Sequence, residues 1–359
     1  MLKGGGVFIN GLGVISPQGQ NLVSIFEEIK NPDEIYLKFI EPDYSGFIEP
    51  NNIRRMSKLL KISLVAAKNC LTDSNISQPD GIITGTGLGC MEDTEKFLKT
   101  TLSNEGVMSS PTAFIHSTHN TISSQIAIAL KCTGYNSTYV HRFISFESAL
   151  IDCCLQLKED ESIKNYLVGG MDEMTPVVLD LLNQFQFWKK EKYTDQLFQS
   201  ETNGTIAGEG SSFFTISNQI SSTTYAEIKS LKIIFNETTF SEINKELDFI
   251  LSENNLNIEE IDLLVMGNNG DVNYDNYYTQ FSENFKEQTS IAYFKNLCGE
   301  YFTSSAFGLL FTSLIIKNNL IPSSSLIKSG KSKSFKNVIF YNQFHGKNHC
   351  IYLLSNVQI

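Results

Sequence analysis

Residues 80–89 read DGIITGTGLG, a short apolar run with adjacent β-branched side chains that breaks into glycine and threonine. An uninterrupted apolar run closed by turn residues suits a strand covered on both faces, as in a parallel α/β layer. The stretch before it, RRMSKLLKISLVAAKNCLTDSN (54–75), places Met56, Leu59, Leu60, Ser63 and Ala67 at helical spacing. About half a chain later the pattern recurs. IDLLVMGNNGD (261–271) follows SEINKELDFILSENNLNIEE (241–260), where Ile243, Leu247, Ile250 and Leu251 mark one helical face. A helix, an apolar strand and a glycine-rich exit, met twice, point to an α/β fold built from a duplicated unit.

Further strands are expected at 6–16, 165–173, 211–218, 224–235, 337–344 and 350–356, all rich in β-branched or aromatic residues. SSAFGLLFTSLIIKNN (304–319) is apolar enough for a buried helix, with Gly308 allowing close backbone approach. NQISSTT (218–224) is the most polar stretch in mid-chain and divides an N-terminal half, 1–220, from a C-terminal half, 221–359. No linker or low-complexity tail is visible, so the halves are expected to form one compact body.

The chain has 359 residues, 41% of them hydrophobic, and a net charge of −11 from 39 acidic and 28 basic side chains. That balance argues against nucleic acid or an anionic membrane as partner. The basic run KSGKSKSFK (328–336) reads as a solvated loop. Seven cysteines, an odd number without a CxxC pair, suit reduced thiols. The start, MLKGGGVFINGLG, lacks a secretory apolar core, and no apolar run approaches the roughly 20 residues needed to span a bilayer. A cytoplasmic protein is expected, with no bound metal.

A strand-to-helix corner is written in TYVHRFISFESALIDCC (138–154), which turns through ISFES. Nucleophiles often occupy such corners. Ser145 reads either as a helix cap, with Glu147 complementing the dipole from the first turn, or as a nucleophilic serine.

Seven segments, in order, resemble the β-ketoacyl synthases, condensing enzymes of the thiolase-like fold. They are GLGVISPQG (11–19), RRMSKLLKISLVAAKNCL (54–71), GIITGTGLGCMEDTEKF (81–97), VGGMDEMTP (168–176), AGEGSSFFTISN (207–218), YFKNLCGE (293–300) and NQFHGKNHCIYLL (342–354). The resemblance implies two α/β halves in an αβαβα layered arrangement. It also implies chemistry by one Cys, which takes the acyl chain, and two His, which stabilise the developing enolate. At the implied positions this chain has Ser145 or its neighbour Phe146 for the Cys, and Asn269 and Glu300 for the two His. The family lysine keeps a counterpart in Lys295, expected to pair with Glu300.

A retained fold with replaced chemistry resembles the chain-length-factor subunits of type II polyketide systems. That implies a silent partner in a heterodimer with an active β-ketoacyl synthase. The acyl chain would arrive on the phosphopantetheine arm of an acyl carrier protein, with no cofactor held by this chain. The strand NSTYVHRF (136–143), with Tyr139, His141 and Phe143, would pair with the synthase. FIHSTHNT (114–121), with Phe114, His116 and His119, would shape the acyl tunnel. Phe146, Tyr301, Phe302 and Phe307 are expected to fill or close the substrate pocket. VHRFISFESAL further resembles ketosynthase-like proteins of aryl-polyene and flexirubin-type pigment systems. The alternative is an acyltransferase or hydrolase using Ser145, with His141 or His119 as base; a third reading moves cysteine chemistry to Cys298.

Overall fold

The computed structural model describes residues 6–27, 36–103, 111–159, 162–190, 197–235 and 238–357. Seven strands belong to the first half: β1 (Phe8–Ile15), β2 (Tyr36–Leu37), β3 (Gly81–Gly85), β4 (Tyr135–Tyr139), β5 (Asn165–Asp172), β6 (Ala207–Gly208) and β7 (Gly210–Ser217). Six belong to the second: β8 (Ala226–Phe235), β9 (Leu263–Met266), β10 (Ser290–Tyr293), β11 (Leu326–Lys328), β12 (Asn337–Phe344) and β13 (Asn348–Ser355). The helices are α1 (Ser24–Glu27), α2 (Pro50–Ile53), α3 (Lys58–Asp73), α4 (Met91–Ser103), α5 (Pro111–His116), α6 (Thr121–Leu130), α7 (Ser145–Glu159), α8 (Pro176–Gln184), α9 (Phe240–Glu253), α10 (Asn276–Ser282), α11 (Lys295–Cys298) and α12 (Ser304–Asn318).

Duplication is explicit in the topology. The first half orders its strands β4-β3-β5-β7-β1 and the second β10-β9-β12-β13-β8, with β11 added outside β10. In each half the fourth strand of that order runs antiparallel to both neighbours, while the first three are mutually parallel. The halves join where β1 meets β8, through Phe8↔Glu227 and Ile9↔Ala226.

Helices cover these sheets in layers. Ser57 caps α3 by accepting from the Leu60 N–H, and α3 buries Leu59, Ile62 and Ala66 against Ile82, Leu167 and Phe213. At the far side, α9 starts with a Thr239/Glu242 capping box and buries Ile243, Leu247 and Leu251 against Leu264, Ile339 and Ile351. Between the sheets lie α7, contributing Phe146, Leu150 and Cys153, and α12, contributing Phe307, Leu310 and Phe311. Every residue of α12 from Ser304 to Ile316 is buried, as expected of a helix apolar on all sides. The result is the αβαβα arrangement, with α7 and α12 as its middle layer.

The strands expected from the sequence are present. The strand expected over 136–143 is shorter, Tyr135–Tyr139. Arg142 takes a left-handed backbone, φ 48°, and turns the chain into a 3₁₀ turn, Arg142–Ile144, before α7. The basic run 328–336 is more structured than a solvated loop: Lys328 closes β11, and Asp262 accepts from the Ser332 hydroxyl and the Lys336 N–H. No described helix is long and apolar enough to cross a membrane.

Candidate functional site

At the corner, β3 approaches the start of α7 so closely that a Cβ on Gly85 would lie 2.4 Å from the Ser145 carbonyl. Only glycine fits there. Ser145 is not an N-cap: it already has helical φ/ψ, following the 3₁₀ turn. Its hydroxyl accepts from the His141 N–H at 2.8 Å and donates to the Arg142 carbonyl at 2.7 Å. The oxygen is buried and occupied by backbone, and no imidazole hydrogen-bonds to it. That geometry supplies no base for a nucleophilic serine. Phe146 is buried in the middle layer and packs against Phe214. The corner side chain that does face the remaining site is Phe143, half-buried, stacked on Phe344 and tilted against Phe302 at 4.7 Å.

Asn269, Lys295 and Glu300 converge. Glu300 Oε2 accepts from Asn269 Nδ2 at 2.8 Å and from Lys295 Nζ, and Oε1 accepts from the Ser304 hydroxyl at 2.9 Å. Lys295 and Glu300 are both 1% exposed, so the expected pair is a buried one. Gly270, φ 80°, sets the turn that presents Asn269. Thr205 donates to the Asn269 carbonyl, and Asp275 accepts from the N–H groups of Asn269 and Gly270. Burial pushes the Asp275 carboxyl up to about 7. Both Glu300 carboxylate oxygens are thus engaged within the protein. Among the described residues the network itself holds no imidazole: His345 feels the charges of Glu300 and Lys295 but sits in the aromatic stack, outside the hydrogen bonds that hold Glu300.

An aromatic column runs from this region to the surface. Phe302 tilts on Phe143, Phe143 stacks on Phe344, Phe344 on His345 at 4.0 Å, and His345 on Tyr274 at 4.4 Å and 6°. Phe187 braces it from the side, 4.8 Å from His345. Tyr274 and His345 also line a surface pocket of 690 Å³. Burial lowers the His345 pKa, keeping its imidazole neutral within the stack.

The other residues named from the sequence disperse. His116 Nδ1 lies 3.9 Å from Asp93, and His119 sits beside Gly89. His141 stacks on Phe235, and Phe114 is exposed and packs on Phe97. Tyr139 is half-buried on β4, while Tyr301 and Phe307 are core residues. Cys298 is buried, its thiol driven well above its ordinary pKa by burial and donating to the Gly299 carbonyl. A buried, protonated thiol is a poor nucleophile.

Sequence reasoning missed Asp172. It accepts from the Gly87 N–H, the Thr86 hydroxyl and both the N–H and hydroxyl of Thr303, tying the exit of β3 to the loop that follows Glu300. Burial raises it to about 6 despite four donors. The acidic pair in VGGMDE was its only written signal.

A family model, Beta-ketoacyl synthase, N-terminal domain, matches residues 40–218. This chain belongs to the β-ketoacyl synthase family. Among solved structures, a β-ketoacyl synthase from Burkholderia phymatum superposes with a TM-score of 0.84 at 14% identity, covering 99% of this chain and 100% of that one. The ishigamide ketosynthase/chain length factor follows this fold with a TM-score of 0.80 at 16% identity, covering 99% and 100%. The ketosynthase ApeO in complex with its chain length factor ApeC, from Xenorhabdus doucetiae, gives 0.76 at 13% identity, covering 98% of each chain. At these identities the likeness is one of fold. No curated protein sequence matches the chain.

Proposed function

We propose that this chain is a catalytically silent, chain-length-factor-type subunit of a ketosynthase heterodimer. It pairs with an active β-ketoacyl synthase and shapes the tunnel while that partner's Cys extends a chain delivered on the phosphopantetheine arm of an acyl carrier protein. The observation that carries this reading is the closed Asn269–Lys295–Glu300–Ser304 network, standing where the family resemblance implies imidazole chemistry. The buried Ser145 hydroxyl and the Phe143–Phe344 stack support it, because the corner offers a ring and no nucleophile.

A docking face supports the pairing. Among the described residues β4 is the outer strand of its half and has one backbone edge without a neighbouring strand. Around it lie exposed apolar side chains: Ile128, Tyr135, Val140, Leu98, Phe114 and Leu181. Hydrogen bonds join their elements: Asn136 to Ser123 (β4–α6), Thr94 to Ser117 (α4 to the loop after α5) and Thr175 to Glu95 (α8–α4). Exposed apolar side chains on elements linked to an outer strand suit a protein partner. Solved relatives of the fold include two ketosynthase/chain-length-factor assemblies and a ketosynthase with its acyl carrier protein. The VHRFISFESAL resemblance extends the proposal to aryl-polyene and flexirubin-type pigment systems as the setting of the heterodimer. All seven thiols are free and six are buried, which suits assembly in the reducing cytoplasm.

Labelling tests the silence directly. With an acyl-thioester mimic and both subunits present, all label should sit on the partner's Cys. Covalent label on Ser145 or Cys298 of this chain would overturn the reading.

A further inference from the structure

The first turn of α7 carries Glu147 into the middle layer, where it is wholly buried. From β13, Cys350 Sγ donates to Glu147 Oε1 at 3.3 Å and the Tyr352 phenol faces the carboxyl; from α12 the Ser305 hydroxyl does the same. Glu147 Oε2, Ser305 Oγ and Tyr352 OH have no hydrogen-bond partner. Among the described residues no cation acts on the carboxyl. Lys295, which acts on Cys350, is engaged by Glu300. An unpaired carboxylate in such surroundings costs several kcal/mol and takes up a proton instead.

We propose that Glu147 is carried as a neutral acid and forms a proton-linked clasp between α7 of the first half and α12 and β13 of the second. Burial raises its pKa, in keeping with the geometry. The folded chain therefore holds a proton that the unfolded chain releases above about pH 4.3. Stability from this site is complete below that pH and falls as pH rises toward the folded-state value. The inference does not depend on the silent-subunit reading.

The test uses the full chain in urea from about pH 5 to about pH 9. The wild-type midpoint should fall relative to that of Glu147→Gln as pH rises, the two curves converging at the acid end. Infrared spectra at neutral pH should show a protonated-carboxyl carbonyl band that Glu147→Gln removes. The difference isolates it from Glu173 and Asp275, whose burial raises them to about 8 and about 7. Parallel urea curves, or no band lost, overturn the clasp. Should Glu147→Gln not fold, Tyr352→Phe must shift that band, because the phenol faces the acid; an unshifted band overturns it equally.

Discussion

Glu300 holds its cation and its donors out of water, and single substitutions there have calculable costs. Lys295→Met leaves a buried carboxylate without its cation and should cost about 3–5 kcal/mol in urea unfolding; the joint Lys295→Met/Glu300→Leu variant should recover most of it. Ser145→Ala strands the His141 N–H and should cost about 1–3 kcal/mol while leaving the heterodimer's turnover intact. For Asp172 the folded value, about 6, lies above the unfolded carboxylate range. Stability from this group therefore declines as pH rises from about 4 to about 6, and urea midpoints of Asp172→Asn should lose that slope. The Lys295–Glu300 pair was legible through the family resemblance of YFKNLCGE, which set an opposite charge at each of two implied positions. The place of Phe143 was not. It depends on the left-handed backbone at Arg142, which nothing in VHRFISF announces. Glu147 misled for a related reason: an acid in a first turn reads as a dipole partner, and only the middle-layer position of α7 buries it.

Among elements, the long periodic ones were plain from the sequence. The Ile243–Leu247–Ile250–Leu251 spacing marks the buried face of α9, and the all-apolar run at 304–319 foretells a helix enclosed on every side. β10, β11 and the β2–β6 pair escaped notice, being two to four residues each. Segments that short carry too little periodicity to stand out. The aromatic column is a tertiary product of segments far apart in the chain, so the sequence singled out only Phe143 and Phe302 among its members, and not their contact. Phe143→Ala should open space between Phe302 and Phe344 at a cost of about 2 kcal/mol, less than a fully buried phenylalanine because the ring is half-exposed. Calorimetry would register the loss. On the docking face, Val140→Asp and Ile128→Asp should each change the chain's own stability by no more than about 0.5 kcal/mol, since both side chains are exposed. Each should nonetheless weaken co-purification with the synthase.

For the whole molecule, the duplicated α/β unit was written in two matching strands, Gly81–Gly85 and Leu263–Met266, and the topology repeats strand for strand. The seam between halves, with Asp172, Thr303, Glu147 and Cys350 reaching across it, could not be read from either half alone. The direct measurement is co-expression with the ketosynthase of the same gene cluster, a tag on one subunit only, the mass of the purified complex, and malonyl-dependent extension by each chain alone and together. A one-to-one complex is expected, its turnover vanishing when the partner's Cys is replaced and persisting with Ser145→Ala here. Turnover of an acyl-carrier substrate by this chain alone, abolished by Ser145→Ala, would contradict the silent-subunit reading.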